Sequence, residues 1–171
     1  MLTPYMPKFE ITMMDAMFAL KRPASVLEFG AGGSTVRWSR YSSVYSWLSV
    51  EHDSEWYERV SAATSANVHL RMAASDSAQS YMKLIIKRGG QFDLIFVDGL
   101  YRAECVKASP QWLAPHGVVI LHDAIRTEYA EAWNVYPHRA MLTKGGRVRQ
   151  GQLKLEHGEC RNGLMLMWGD T

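Results

Sequence analysis

The chain has 171 residues, 47% of them hydrophobic and 21% charged, with a formal net charge of +2. That length can bury a sizeable core, and that composition excludes a disordered chain. So small a charge also argues against nucleic acid or an anionic membrane as a partner drawn by bulk electrostatics.

Cys105 and Cys160 stand far apart and form no C-x-x-C spacing, so neither a zinc site nor a disulfide framework is expected. A reduced, cytoplasmic setting fits best. Lys8, Glu10 and Asp15 interrupt the apolar residues near the N-terminus, which excludes a signal-peptide core. No run reaches the ~20 apolar residues that a membrane span requires. Residues 1–171 are expected to form one domain, with residues 1–24 as a helical cover.

Residues 25–29 (SVLEF) read as a buried strand that runs into glycines. A short helix should follow, capped by Ser34 or Thr35. Residues 44–50 and 68–72 read as the second and third strands. The segments FDLIFV (92–97) and VVIL (118–121) are the clearest of all. Continuous apolar runs of this kind suit strands covered on both faces. Helices are expected at 54–66, 77–88, 103–113 and 124–134. The first of them has Asp53 or Ser54 to cap it and Trp56, Val60 and Ala63 on one face.

Residues 138–142 and 163–168 read as two strands with only a polar connection, 144–162, between them. With no helix to cross over, they should pair antiparallel. The basic stretch 144–154 within that connection is read as a solvated hairpin rather than an RNA contact. The order βαβαβαβαβαββ predicts an α/β fold, a Rossmann-like three-layer α/β/α sandwich. Its seven-stranded sheet should be mostly parallel with an antiparallel C-terminal hairpin. Ligands of such sheets bind beyond the carboxyl ends of the strands, where the strand order reverses.

The first strand ends in Glu28-Phe29-Gly30-Ala31-Gly32-Gly33-Ser34-Thr35. Glycines permit a tight turn and let a ligand approach the main chain. A carboxylate at Glu28 opposes phosphate, and neither a G-x-G-x-x-G nor a G-x-x-x-x-G-K-[ST] pattern is present. A phosphate-free ligand with a cationic portion fits better, and S-adenosylmethionine is one. The second strand ends at Glu51, 23 positions after Glu28, near the ~20-residue offset at which an acid accepts from ribose hydroxyls. Both oxygens of a carboxylate are expected to engage such a diol.

These segments, with Phe92-Asp93-Leu94-Ile95-Phe96-Val97-Asp98-Gly99, resemble the class I S-adenosylmethionine-dependent methyltransferases. The resemblance runs from about Val26 to Trp168 and is to the branch whose first motif reads E-x-G-x-G-x-S-T. It implies that Gly30, Ala31, Gly32 and Ser34 line the methionine part and that Glu51 binds the ribose. Asp76 and Ser77 would lie near adenine, although Ala74-Ser75-Asp76-Ser77 departs from the family's usual G-D-A. Glu28, Thr35, His52 and Asp98 complete the expected cofactor set, with S-adenosylhomocysteine (SAH) as product.

Asp98 ends the fourth strand, and His122-Asp123 end the fifth. Three readings stand for them. Asp98-Gly99 is a turn and Asp123 a helix cap. Alternatively, His122 or Asp98 accepts a proton from the methyl acceptor, with Asp123 beside them. In the third, Asp98 and Asp123 hold a divalent metal, as some methyltransferases of this class do. Acid–base chemistry is favoured over the metal. The acceptor is expected to be a small molecule, and oligomeric state is left open. The alternatives are a methyltransferase-like domain that binds a nucleoside or a protein without catalysis, and a dinucleotide-dependent oxidoreductase.

Overall fold

The computed structural model describes residues 2–142 and 163–170. The connection 144–162, its basic stretch and Cys160 lie outside the described residues.

Helix α1 (Lys8–Lys21) leads into strand β1 (Ser25–Phe29), followed by α2 (Gly33–Trp38) and β2 (Ser46–Glu51). Then come α3 (Ser54–Ser61), β3 (Val68–Met72), α4 (Ala78–Arg88), β4 (Phe92–Val97), α5 (Arg102–Ala108) and β5 (Leu113–Leu121). Strands β6 (His138–Leu142) and β7 (Leu164–Trp168) complete one seven-stranded sheet of order β3-β2-β1-β4-β5-β7-β6. The pairs among β1 to β5 are parallel, and β7 runs antiparallel to both β5 and β6. No helix among the described residues is long and apolar enough to cross a membrane.

Side chains alternate across each strand, and that alternation assigns the two faces. Leu27, Phe29, Ile95 and Val97 pack with Tyr81 and Ile85 of α4 and Cys105 and Val106 of α5. Val26, Leu94 and Phe96 face the other way and pack with Met14 and Phe18 of α1 and Trp38 of α2. The Phe18 ring stacks at 5.9 Å from Trp38 and 5.8 Å from Trp47, each pair adding about 1 kcal/mol beyond area burial. Helix α1 is thereby fixed to the sheet next to β1 and β4.

Three local expectations are corrected. Helix α3 stops at Ser61 instead of running to residue 66. Asn67 accounts for the early stop: its amide donates to the Ser39 and Val44 carbonyls, so the chain must already have turned back. The segment after β5 is a 3-10 helix, Thr127–Asn134, rather than an α-helix from residue 124. Asp123 has a left-handed φ of 54°, and the Trp133 indole donates to the Ala124 carbonyl at 3.0 Å, which together impose a tighter path. Strand β5 begins at Leu113, within the helix expected to residue 113 and ahead of the strand expected from 118, with an irregularity in its pairing before Val118.

Candidate functional site

The strand order reverses between β1 and β4, whose following turns touch. Gly30 has φ 92°, and a Cβ there would lie 2.5 Å from the Gly99 Cα. Only glycine allows that approach. On the far side of the turn, a Cβ on Gly33 would strike the Thr3 main chain, so the segment before α1 crosses directly over the start of α2.

Glu28 does not line this turn; it supports the turn from beneath, at 0% exposure. Its oxygens accept from Ser34 Oγ (2.5 Å), Thr35 Oγ1 (2.5 Å), Trp47 Nε1 (2.9 Å) and Ser49 Oγ (2.8 Å). Strand parity explains this: Glu28 shares the α2 face with Val26, across from Ser49 and Trp47 of β2. Burial pushes its carboxyl up to about 7 against those four donors. Thr35 is also fully buried, and its hydroxyl accepts from Gly32 N at 2.8 Å. It is therefore not the cap of α2, since the helix starts at Gly33 with Gly32 in the cap position.

Glu51, at the end of β2, is buried except for one edge. Oε1 accepts from the main-chain N–H of His52 (2.8 Å) and of Asp53 (2.9 Å), and lies 2.9 Å from His52 Nδ1. That oxygen is saturated, so among the described residues Oε2 alone remains for a ligand, where the sequence suggests both oxygens. Asp53 caps α3 by accepting from Trp56 N at 2.8 Å.

Asp98 and His122 come together as the strand order predicts. The His122 Nδ1 lies 2.7 Å from Asp98 Oδ1. Its Nε2 lies 2.9 Å from Oε2 of Glu10 in the first turn of α1. Burial alone would lower the imidazole's pKa, but hydrogen bonds to Asp98 and Glu10 outweigh it and lift it to about 9. At 4% exposure with both nitrogens engaged, His122 is a held imidazolium at neutral pH, not a free base. The ring thus has no free nitrogen among the described residues with which to meet an acceptor. Arg102 Nη2 lies 3.0 Å from Asp98 Oδ1, and its Nη1 lies 3.1 Å from Asp123 Oδ2. Arg126 adds a second guanidinium 2.6 Å from Asp123 Oδ2.

Ligand atoms of Asp98, His122 and Asp123 lie within 4.8 Å of one another, a spacing suited to a metal. The charge state is not suited to one. Asp98 Oδ1 and Asp123 Oδ2 already face protein cations, and a divalent ion on the remaining oxygens would sit directly beside those charges. A metal held by Asp98 and Asp123 does not fit this set as it stands.

A crevice of about 600 Å³ opens above the two turns. Its lining includes the expected Gly30, Ala31, Gly32, Ser34, Glu51, His52 and Asp98. Asp98 reaches it with a side chain 23% exposed, while His122 and Asp123 lie behind. Asp76 and Ser77 are outside the lining: Ser77 caps α4 by accepting from Ser80 N, and Asp76 accepts from Ser80 Oγ. Tyr101 also turns away, donating its hydroxyl to the Ser75 carbonyl at 2.7 Å. Residues not singled out from the sequence for the site also contribute, among them Thr3, Tyr5, Arg59, Arg102 and Trp56. The Trp56 indole donates to the Ala31 carbonyl at 2.7 Å and carries Arg59 over its ring at 4.7 Å. Its place in the apolar face of α3 concealed that role. Glu10 was hidden differently, because nothing local in sequence links it to residue 122.

Residues 27–124 match the family model described as a methyltransferase domain, which is more than half of the chain. This chain belongs to the methyltransferase-domain family. The fold is that of the class I methyltransferases, and solved structures agree. An O-methyltransferase from Bacillus cereus, solved in complex with SAH, is 16% identical with a TM-score of 0.68, over 96% of this chain and 83% of that one. A precorrin-6y C5,15-methyltransferase from Geobacter metallireducens is 15% identical with a TM-score of 0.65, over 98% and 93%. A precorrin 8W decarboxylase from Methanobacterium thermoautotrophicum is 17% identical with a TM-score of 0.63, over 99% and 94%. A search of curated proteins found no match. Such identities establish the fold alone, and a decarboxylase among the neighbours illustrates that fold does not fix reaction.

Proposed function

We propose that this methyltransferase-family chain binds S-adenosylmethionine in the crevice above Gly30 and Glu51 and transfers its methyl group to a small-molecule acceptor. The observation that carries the proposal is Oε2 of Glu51, without a partner among the described residues and opposite main chain kept bare by the Gly30–Gly99 approach. A carboxylate oxygen there accepts from ribose hydroxyls, and the main chain of Gly30, Ala31 and Gly32 with Ser34 receives the methionine portion. No phosphate-binding pattern competes for the turn. When bound, this cofactor supplies an electrophilic methyl group and leaves as the neutral thioether SAH.

The chain's own residues align and deprotonate. Among the described residues no partner engages Asp98 Oδ2, whereas Oδ1 is fixed by His122 and Arg102. Asp98 Oδ2 orients the acceptor and receives its proton. A weak base suffices, because an amine or hydroxyl becomes strongly acidic as its lone pair bonds to the methyl carbon. Holding acceptor and methyl group in line contributes about 7 kcal/mol or more in favourable cases. Protonated His122 and Asp123 act behind Asp98 as its support.

Calorimetry with SAH tests the cofactor assignment. Wild-type protein is expected to bind SAH and not NAD, and Glu51→Ala to lose the binding. Unchanged affinity in that variant refutes the ribose role, and a wild-type protein silent towards SAH refutes the proposal. The withdrawal of His122 from the crevice favours a second reading, a domain that binds without transferring. Methyl-labelled cofactor incubated with a small-molecule extract separates the two, since transfer predicts labelled product that Asp98→Asn abolishes.

A further inference from the structure

Asp98 and Asp123 end neighbouring strands, and two main-chain carbonyls join them to form a cage of oxygens. The Arg102 guanidinium occupies that cage. Its Nη2 reaches Asp98 Oδ1 at 3.0 Å and its Nη1 reaches Asp123 Oδ2 at 3.1 Å. Nη1 also donates to the His122 carbonyl and Nε to the Gly99 carbonyl, each at 3.0 Å. The Tyr129 ring lies 5.6 Å from the guanidinium carbon, a cation–π contact.

Two carboxylates and two carbonyls are the kind of hard oxygen set that magnesium or calcium takes. Here a planar organic cation with a fixed fork takes it, and every one of its three nitrogens is engaged. Arg102 is only 13% exposed, so its charge is weakly screened. A divalent ion entering the same oxygens would face that charge within a few ångströms. The two occupants exclude each other.

We propose that Arg102 is a built-in replacement for a divalent metal: it fills the oxygen cage at the ends of β4 and β5 and holds Asp98 toward the crevice. It is a positioning residue, and the chain needs no metal at this place. Arg102 also borders the crevice, but the inference concerns its place in the cage and holds whichever ligand the crevice binds.

Manganese chloride is the probe, titrated by calorimetry and by the electron paramagnetic resonance signal of free Mn²⁺. Wild-type protein is expected to leave Mn²⁺ free. Arg102→Ala is expected to melt roughly 5–10 °C lower. It should also bind Mn²⁺ at least about tenfold more tightly than wild type, because the charge at the centre of the cage is gone and its carbonyls and outer carboxylate oxygens open to the ion. Arg126 stays on Asp123 Oδ2 and His122 on Asp98 Oδ1. Mn²⁺ or low-millimolar guanidinium should restore part of the melting temperature, and a second substitution, Asp98→Asn, should abolish the Mn²⁺ binding. A merely structural arginine would give the lower melting temperature without any response to metal. Arg102→Lys keeps a cation in place and should stay silent toward Mn²⁺. The proposal is overturned if wild type or Arg102→Lys binds Mn²⁺ in a way that Asp98→Asn abolishes, or if folded Arg102→Ala gains no affinity. Should Arg102→Ala fail to fold, the wild-type and lysine titrations decide by the same criterion.

Discussion

The Nε2 of His122 lies 2.9 Å from Oε2 of Glu10, joining two residues 112 positions apart in the chain. Both are buried, so the ring is enclosed between Glu10 on one nitrogen and Asp98 on the other. Helix α1 is thus more than a cover: its first turn supplies a charge to the network behind the crevice.

That network makes stability depend on pH. The folded pKa of His122, about 9, stands above its ordinary value of 6.5. Its contribution is therefore complete below about pH 6.5 and is lost as pH rises through about 9, amounting to about 3 kcal/mol. Melting temperature measured between pH 6 and pH 10 should fall across that window in wild type and fall less in His122→Gln. Parallel curves for the two proteins would contradict the assignment.

Glu10→Ala should cost about 2–4 kcal/mol in urea unfolding, because it strips one partner from a buried imidazolium. Glu10→Gln keeps an acceptor for the ring and should lose less than half as much. Equal losses in the two variants would show that a neutral acceptor contributes nothing and that the charge carries the whole effect.

Gly30→Ala combines a φ of 92° with a Cβ 2.5 Å from the Gly99 Cα. Strain and overlap together should cost about 3 kcal/mol or more and push the two turns apart. SAH affinity should fall with stability. A variant as stable as wild type would mean that the turns need no such approach.

Glu28→Ala leaves the Ser34, Thr35, Trp47 and Ser49 donors without their shared acceptor. A loss of about 2–4 kcal/mol is expected, with weaker SAH binding although the residue makes no contact with the crevice. Weaker binding with no change in stability would instead argue for direct contact with the ligand.

The Tyr81 hydroxyl is buried and makes no well-formed hydrogen bond among the described residues, with only the Leu100 main chain as a weak partner. Tyr81→Phe removes that unmet polar group and should leave stability unchanged or raise it by up to about 1 kcal/mol. A clear loss on denaturant unfolding would reveal an acceptor or donor that the hydroxyl needs.

The sheet was legible from sequence because buried parallel strands are local signals: FDLIFV and VVIL declare themselves without reference to the rest of the chain. The glycine turn and Glu51 were legible for the same reason, since each follows directly on its strand. Glu28 shows where local reading stops. Its acidity was plain, but the face on which it falls depends on strand parity, and that face points beneath α2 rather than to the crevice.

Tertiary structure alone decided the rest. Neighbouring strand ends brought Asp98 to His122, but the state of the imidazole was set by Glu10, which reaches it only through the packing of Met14 and Phe18 against the sheet. Arg102 likewise becomes the occupant of a metal-like cage only once β4 and β5 lie side by side. Apolar patterning fixes elements within a few residues of chain. Electrostatic energy falls with distance in space, so it answers to neighbours that no spacing in the sequence announces.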